Sequence, residues 1–157
     1  IDIETVEGKG TTFHIYLPKA SPLEQAEPKE IMGVVGGNET VLIVEDEEMV
    51  LNLAKEVLNN FGYNVLNALD GRQGMDIFNK NKEHIDLVLL DLTMPEMSGQ
   101  TVLDKMLKIN PDVKVIISSG HSQEDTRKGI FSKVKGYVSK PYKTKDLAQT
   151  VRTVLDL

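Results

Sequence analysis

The chain has 157 residues, 40% of them hydrophobic and none of them cysteine. That length and composition allow one domain with its own core, or one domain and an appendage, and exclude disulfides, thiolate nucleophiles and cysteine-ligated zinc. The formal net charge of −6 argues against nucleic-acid binding by charge alone; no signal peptide opens the chain and no apolar run approaches the roughly 18 residues of a membrane span, so a reducing, cytoplasmic setting is expected.

A chain opening on Ile rather than Met is expected to be a piece of a longer one. Ile1 to Leu17 reads as a strand or hairpin, with a turn signal at Gly8-Lys9-Gly10 and the β-formers Thr12, Phe13, Ile15, Tyr16 and Leu17 after it. From Pro18 to Gly37 three prolines and then Gly33, Gly36 and Gly37 give the composition of a linker. It is expected to be poorly ordered, with the folded unit beginning near Glu39.

Strand and helix patterns then alternate. Val41 to Val44 is a short apolar run suited to a strand covered on both faces. Met49, Val50, Leu53, Val57, Leu58 and Phe61 recur at helical spacing, with Gly62 as the residue that ends the helix. Tyr63 to Ala68 is a second strand. Asp70 and Gln73 have capping-box spacing and open a helix to about Lys80. Asp86 to Leu90 is a third strand that ends on Asp91. Val102, Met106 and Ile109 line a third helix, stopped by Asn110-Pro111. Val113 to Ile117 is the fourth strand, Ser122 caps a short fourth helix, Gly136 to Val138 is the fifth strand, and Leu147, Val151, Val154 and Leu155 mark a terminal helix. Five such β–α units predict a parallel sheet with helices on both faces.

In sheets of this class function gathers at the carboxyl ends of the strands. There the pattern places Glu45 and Asp46, Asp91, Ser118 and Ser119, and Lys140. Carboxylates 4 Å apart repel by about 4 kcal/mol at an effective dielectric of 20, so such a cluster takes up a proton or a cation. An oxygen-only site with an open mouth suits Mg2+. A hydroxyl and an ammonium at the same point would hold phosphoryl oxygens, which suits phosphoryl transfer to Asp91. Each residue also has a plain structural reading. Glu45 to Glu48 could be a solvated helix start, Asp91 a turn or cap residue, Lys140 a surface lysine and Tyr137 a core residue. A one-residue strand slip would exchange Ser119 for Ser118. Met49, Met75 and Met106 read as packing, Met94 and Met97 as loop contacts. His14, His84 and His121 have no metal-ligand spacing. The stretch 124–157 is basic, with eight bases against four acids.

Val41-Leu42-Ile43-Val44-Glu45-Asp46-Glu47 resembles the acidic opening of a two-component receiver (response-regulator) domain. Leu89 to Gly99, through Asp91-Leu92-Thr93-Met94-Pro95, resembles the phosphoacceptor segment of that family. Ile116 to Gly120 and Gly136 to Tyr142 match its last two landmarks in order, so the resemblance covers residues 39–157. It implies an α/β, flavodoxin-like, doubly wound five-stranded parallel sheet of strand order 2-1-3-4-5. It implies that Asp91 accepts a phosphoryl group from a phosphohistidine, on a kinase dimerisation domain or a histidine phosphotransfer protein, and that Glu45, Asp46, Asp91 and the Thr93 backbone carbonyl hold Mg2+ or Mn2+. Lys140 would contact the phosphoryl oxygens. Ser119 and then Tyr137 would switch, altering the surface of the fourth helix, fifth strand and terminal helix. Lys140-Pro141 is expected to be cis. Glu45 stands where aspartate is commoner and Ser119 where threonine is commoner; both keep the chemical group.

Gly8 to Pro18 resembles the last strand of a histidine kinase's ATP-binding domain. The expected division is therefore a kinase remnant at 1–20, a linker at 21–38 and a receiver at 39–157, cut from a hybrid histidine kinase and without ATP binding of its own. Two other readings compete: a receiver-like module that acts by protein contact without phosphate, and an enzyme on a similar sheet. A nucleotide-binding oxidoreductase would need a glycine-rich loop after the first strand, and an aspartate-dependent phosphatase a nucleophile there; the pattern offers neither.

Overall fold

A computed structural model describes residues 1–16, 34–120 and 132–157. Residues 18–33 of the expected linker, the Ser122 cap with its fourth helix, and His121 lie outside the described residues. The chain divides into two compact units, residues 1–32 and 33–157.

In the first unit, β1 (Asp2–Val6) pairs antiparallel with β2 (Gly10–His14), and Ile3 faces Phe13 across the pair. Gly8 and Gly10 take positive φ at the turn, as the Gly-Lys-Gly signal requires. In the second unit, β3 (Thr40–Val44), β4 (Asn64–Ala68), β5 (Leu87–Asp91), β6 (Lys114–Ser119) and β7 (Gly136–Ser139) form a parallel sheet in the order β4-β3-β5-β6-β7. Counted from β3, this is the expected order 2-1-3-4-5.

The sheet separates two apolar clusters. Alternate residues point to opposite faces of a strand, so Val41, Ile43, Leu87, Leu89 and Ile116 join one cluster, and Leu42, Val44, Val88, Leu90 and Ile117 the other. The first packs against α1 (Glu48–Asn60) and α4 (Thr144–Leu155) through Leu51, Ala54, Val57, Leu58, Leu147 and Val151. The second packs against α2 (Gly71–Asn81) and α3 (Gly99–Ile109) through Phe78, Val102, Leu103 and Met106.

Local signals explain the helix ends. Asp70 Oδ1 accepts from the Arg72 and Gln73 amides, both at 2.8 Å. Gln73 reaches back, but to the amide of Leu69 at 2.7 Å rather than to that of Asp70. Ser98 caps α3, and Gly62 turns the chain after α1 at φ 90°. Packing departs from the sequence pattern at the helix margins. Met49, expected in the core, is 87% exposed because the buried face of α1 is that of Leu51, Ala54, Val57 and Leu58, and Met49 lies on the other side of the helix; Leu53 and Ile109 are also exposed. Met94, expected to make loop contacts, is instead buried in the second cluster, and Met75 and Met106 are buried as expected.

Gly99 fixes how closely the loop after β5 returns to the sheet. A Cβ there would collide with the carbonyl oxygen of Asp91, and the Gly99 amide donates to the Leu92 carbonyl at 3.2 Å. The obstacle is backbone and has no flexible end to give way. Gly99→Ala is therefore expected to destabilise the protein by about 1–3 kcal/mol, as overpacking does, read as a lower midpoint at unchanged slope in urea unfolding.

Candidate functional site

Register builds the site. In the pairing of β3 with β5, Val44 lies beside Leu90, so Glu45 comes level with Asp91 on the neighbouring strand. Asp91 in turn pairs with Ser118, and Ser119 with Ser139. Lys140 follows Ser139 directly, its amide donating to the Ser119 carbonyl at 3.0 Å. The carboxyl ends of the three central strands and the last one thus deliver Glu45, Asp91, Ser118, Ser119 and Lys140 to one edge. The Lys140-Pro141 peptide is cis, as expected.

The side chains meet there. Lys140 Nζ donates to Glu45 Oε1 at 2.7 Å and to Asp91 Oδ2 at 2.8 Å, and Glu47 lies 4.0 Å from it at the rim. Glu45 and Asp91 are 1% and 3% exposed, so Glu45 is not part of a solvated helix start. Glu45 also precedes the helix, which begins at Glu48. Asp91 Oδ1 accepts from the Thr93 amide at 3.0 Å, so both of its oxygens are held.

One carboxylate oxygen from each of Glu45, Asp46 and Asp91 lies within 4.8 Å of the others. Lys140 brings one positive charge to these three negative ones. Asp46 Oδ1 is buried without a hydrogen bond among the described residues, while Glu45 Oε2 lies 2.7 Å from Lys140 Nζ in the ion pair. Burial pushes the Glu45 carboxyl above its usual range, with the charge of Asp91 adding to the effect and Lys140 opposing it. For Lys140, burial alone would lower the pKa; the hydrogen bonds and charges of Asp91 and Glu45 outweigh it and raise the value. An all-oxygen donor set with an unsatisfied buried acceptor and excess negative charge fits a hard divalent cation.

The two serines divide by face. Ser118 Oγ and the Tyr142 hydroxyl form a buried 2.7 Å hydrogen bond on the side of α1 and α4, and burial pushes the Tyr142 phenol up. Ser119, 1% exposed, has the opposite parity, and its carbonyl accepts from the Tyr137 hydroxyl at 3.4 Å. Tyr137 is half-buried against the cluster of α2 and α3. Tyr142 is a site neighbour that the sequence reading left without a role. Its signal was its place two residues past Lys140, on a segment that must turn back toward β6.

The profile of the response regulator receiver domain matches residues 41–152. The chain belongs to that family. It is similar to the sensor kinase CckA of Brucella abortus, 35% identical over 159 residues, covering 95% of this chain and 17% of that protein. The chain thus spans about a sixth of that relative. It is also 35% identical to the sporulation initiation phosphotransferase F of Bacillus subtilis, over 76% of this chain and 96% of that protein. Among solved structures, the CheX–CheY–BeF3–Mg2+ complex of Borrelia burgdorferi superposes with a TM-score of 0.70 at 29% identity, covering 74% of this chain and 88% of that one. The second unit is therefore a two-component receiver domain, of a family whose members bind Mg2+ at an acidic site. Receivers of hybrid kinases take phosphoryl groups from histidine-containing partners. Among the described residues no helix is long and apolar enough to cross a membrane.

In this receiver the lysine is a structural counter-ion as well as a site residue. Lys140→Ala leaves two buried carboxylates facing each other, and a cost of about 3 kcal/mol in metal-free unfolding is expected. Saturating Mg2+ should recover part of that loss, measured by thermal melts with and without the ion.

Proposed function

We propose that Asp91 is the phosphoacceptor of this receiver, with Glu45, Asp46, Asp91 and the Thr93 carbonyl as the Mg2+ ligands. Mn2+ would substitute. The observation that carries the reading is Lys140, half-buried and bonded to both Glu45 and Asp91, in a cluster where an Asp46 oxygen has no hydrogen bond among the described residues. An ammonium so placed is pre-positioned for a phosphoryl group arriving on Asp91.

In the transfer, a carboxylate oxygen of Asp91 forms a bond to phosphorus as the phosphorus–nitrogen bond of the phosphohistidine breaks. The electron pair of that bond leaves on the imidazole, and an acyl phosphate remains on Asp91. Bound Mg2+ supplies positive charge against the phosphoryl oxygens. Lys140 would exchange Asp91 Oδ2 for a phosphoryl oxygen, and the Thr93 amide keeps the carboxylate oriented. Ser119 would then hydrogen-bond the phosphoryl group and draw Tyr137 with it, since the Tyr137 hydroxyl already bonds to the Ser119 carbonyl. The change would be read on the surface of β7 and α4.

We read the hairpin of β1 and β2 as the end of a histidine kinase ATP-binding domain, joined by a linker to the receiver. The match to the sensor kinase covers 95% of the chain, whereas that to the stand-alone phosphotransferase covers 76%. The parent would then be a cytoplasmic-facing hybrid kinase, with a phosphohistidine of its own dimerisation domain or of a phosphotransfer protein as donor.

Incubation with Mg2+ and acetyl phosphate should add one phosphoryl group to the intact mass, and Asp91→Asn should add none. No gain with any divalent metal would favour a receiver that acts by contact alone. Beryllofluoride should shift the Ser119 and Tyr137 amide resonances, and unchanged spectra would sink the proposed switch. Mg2+ at ten times its dissociation constant should stabilise the fold by about 1.4 kcal/mol, an effect that Asp46→Asn should sharply weaken.

A further inference from the structure

At the opposite end of the sheet, residues read from composition as linker are built into the receiver. The Gly37 amide donates to the Phe61 carbonyl at 3.0 Å, in the turn after α1. Asn64 Nδ2 donates to the Asn38 carbonyl at 2.7 Å, and the Asn64 amide to the Glu39 carbonyl at 2.9 Å. The backbones meet so closely that a Cβ on Gly62 would lie 2.7 Å from the Gly37 carbonyl oxygen.

Arg152, on the last turn of α4, closes this arrangement. Its Nη1 donates to Glu39 Oε1 at 2.8 Å, in a pair whose side chains are only 19% and 26% exposed. Nη2 holds Asp156, one turn further along and 63% exposed, at 2.7 Å. Burial alone would raise the Glu39 carboxyl; its own amide and the Arg152 guanidinium outweigh that and hold it below the usual range. A carboxyl so lowered stabilises the fold above its unfolded pKa and loses that contribution as pH falls through the folded value, so the pair is intact at neutral pH.

Helix α4 joins this end to the other. It starts four residues after Lys140, and Tyr142, between them, is bonded to Ser118 beside the acceptor strand. The helix runs away from the phosphoacceptor edge, and Arg152, its ninth residue, lies about 12 Å along it from Thr144. Leu147, Ala148, Val151 and Val154 are buried along its length, so it moves as a rod if it moves.

We propose that residues 34–39 are an anchored entry to the receiver, locked by Arg152, and that α4 couples this anchor to the state of the Lys140–Asp91 site. The second half rests on the phosphoacceptor reading. Phosphorylation would then alter how firmly the upstream chain is held, which is a route for the receiver to act on the polypeptide that carries it.

Amide hydrogen exchange at Gly37 in the whole 157-residue chain tests both halves. Loading with Mg2+ and beryllofluoride should change the Gly37 rate by at least about threefold, and Glu39→Gln should speed it about fivefold without ligand, the range of a half-buried ion pair. Glu39→Gln should also abolish the response to loading while leaving the phosphoryl mass gain intact. Arg152→Lys should fall between it and the parent, and Asp156→Asn should behave as the parent. An unchanged Gly37 rate in a sample whose Ser119 resonance has shifted would overturn the coupling alone. No Ser119 shift and no phosphoryl mass gain would instead overturn the phosphoacceptor reading, and the coupling with it. An unchanged rate in both Glu39→Gln and Arg152→Lys would overturn the anchor.

Discussion

Everything at the functional edge depends on one ammonium group held by two buried carboxylates. Glu45 and Asp91 end neighbouring parallel strands, and parallel register brings them side by side with no freedom to move apart. Their repulsion would be large in so dry a place. Lys140 resolves it, from a third strand, and ties the ends of β3, β5 and β7 into one electrostatic unit. The arrangement is stable but incomplete, because three carboxylates still outnumber one lysine.

That imbalance would let the site respond to a cation. A fully satisfied cluster would have no reason to bind a cation or to release its lysine. Here Asp46 Oδ1 remains without a hydrogen bond among the described residues, so an arriving divalent ion meets one buried acceptor with no such bond to lose. A phosphoryl group on Asp91 would then give the lysine new oxygens to bind. The surrounding backbone contributes rigidity: Gly99 lets the loop after β5 press against the Asp91 carbonyl, and the Thr93 amide holds one oxygen of the carboxylate.

Much of this was legible in the sequence, for a physical reason. Strands buried on both faces must be apolar throughout, so 41–44 and 87–90 announced a parallel sheet, and polar residues at their ends had to be either caps or chemistry. Helix margins were less legible. Apolar residues stand on more than one side of α1, and packing buries Leu51, Ala54, Val57 and Leu58 while Met49, half a turn from Leu51 and Leu58, faces solvent. Which layer each of Ser118 and Ser119 belongs to needed register, because adjacent residues differ only in the face they address. Residues 34–38 misled most. Glycines that permit a close backbone approach have the same composition as glycines in a loose tether, and the partners at Phe61 and Asn64 lie far along the chain.

The side-chain alternation at the end of β6 has a further consequence. Ser118 is tied to Tyr142 in one apolar layer, while Ser119 belongs with Tyr137 and the other. The layer that holds the acid cluster's strand ends against α1 and α4 is thus packed separately from the layer under α2 and α3. Substitutions on one side of the sheet need not disturb the other. A phosphoryl group at the Asp91 edge would therefore meet two separately packed layers at once, one leading to α4 through Ser118 and Tyr142 and the other to Tyr137 through Ser119.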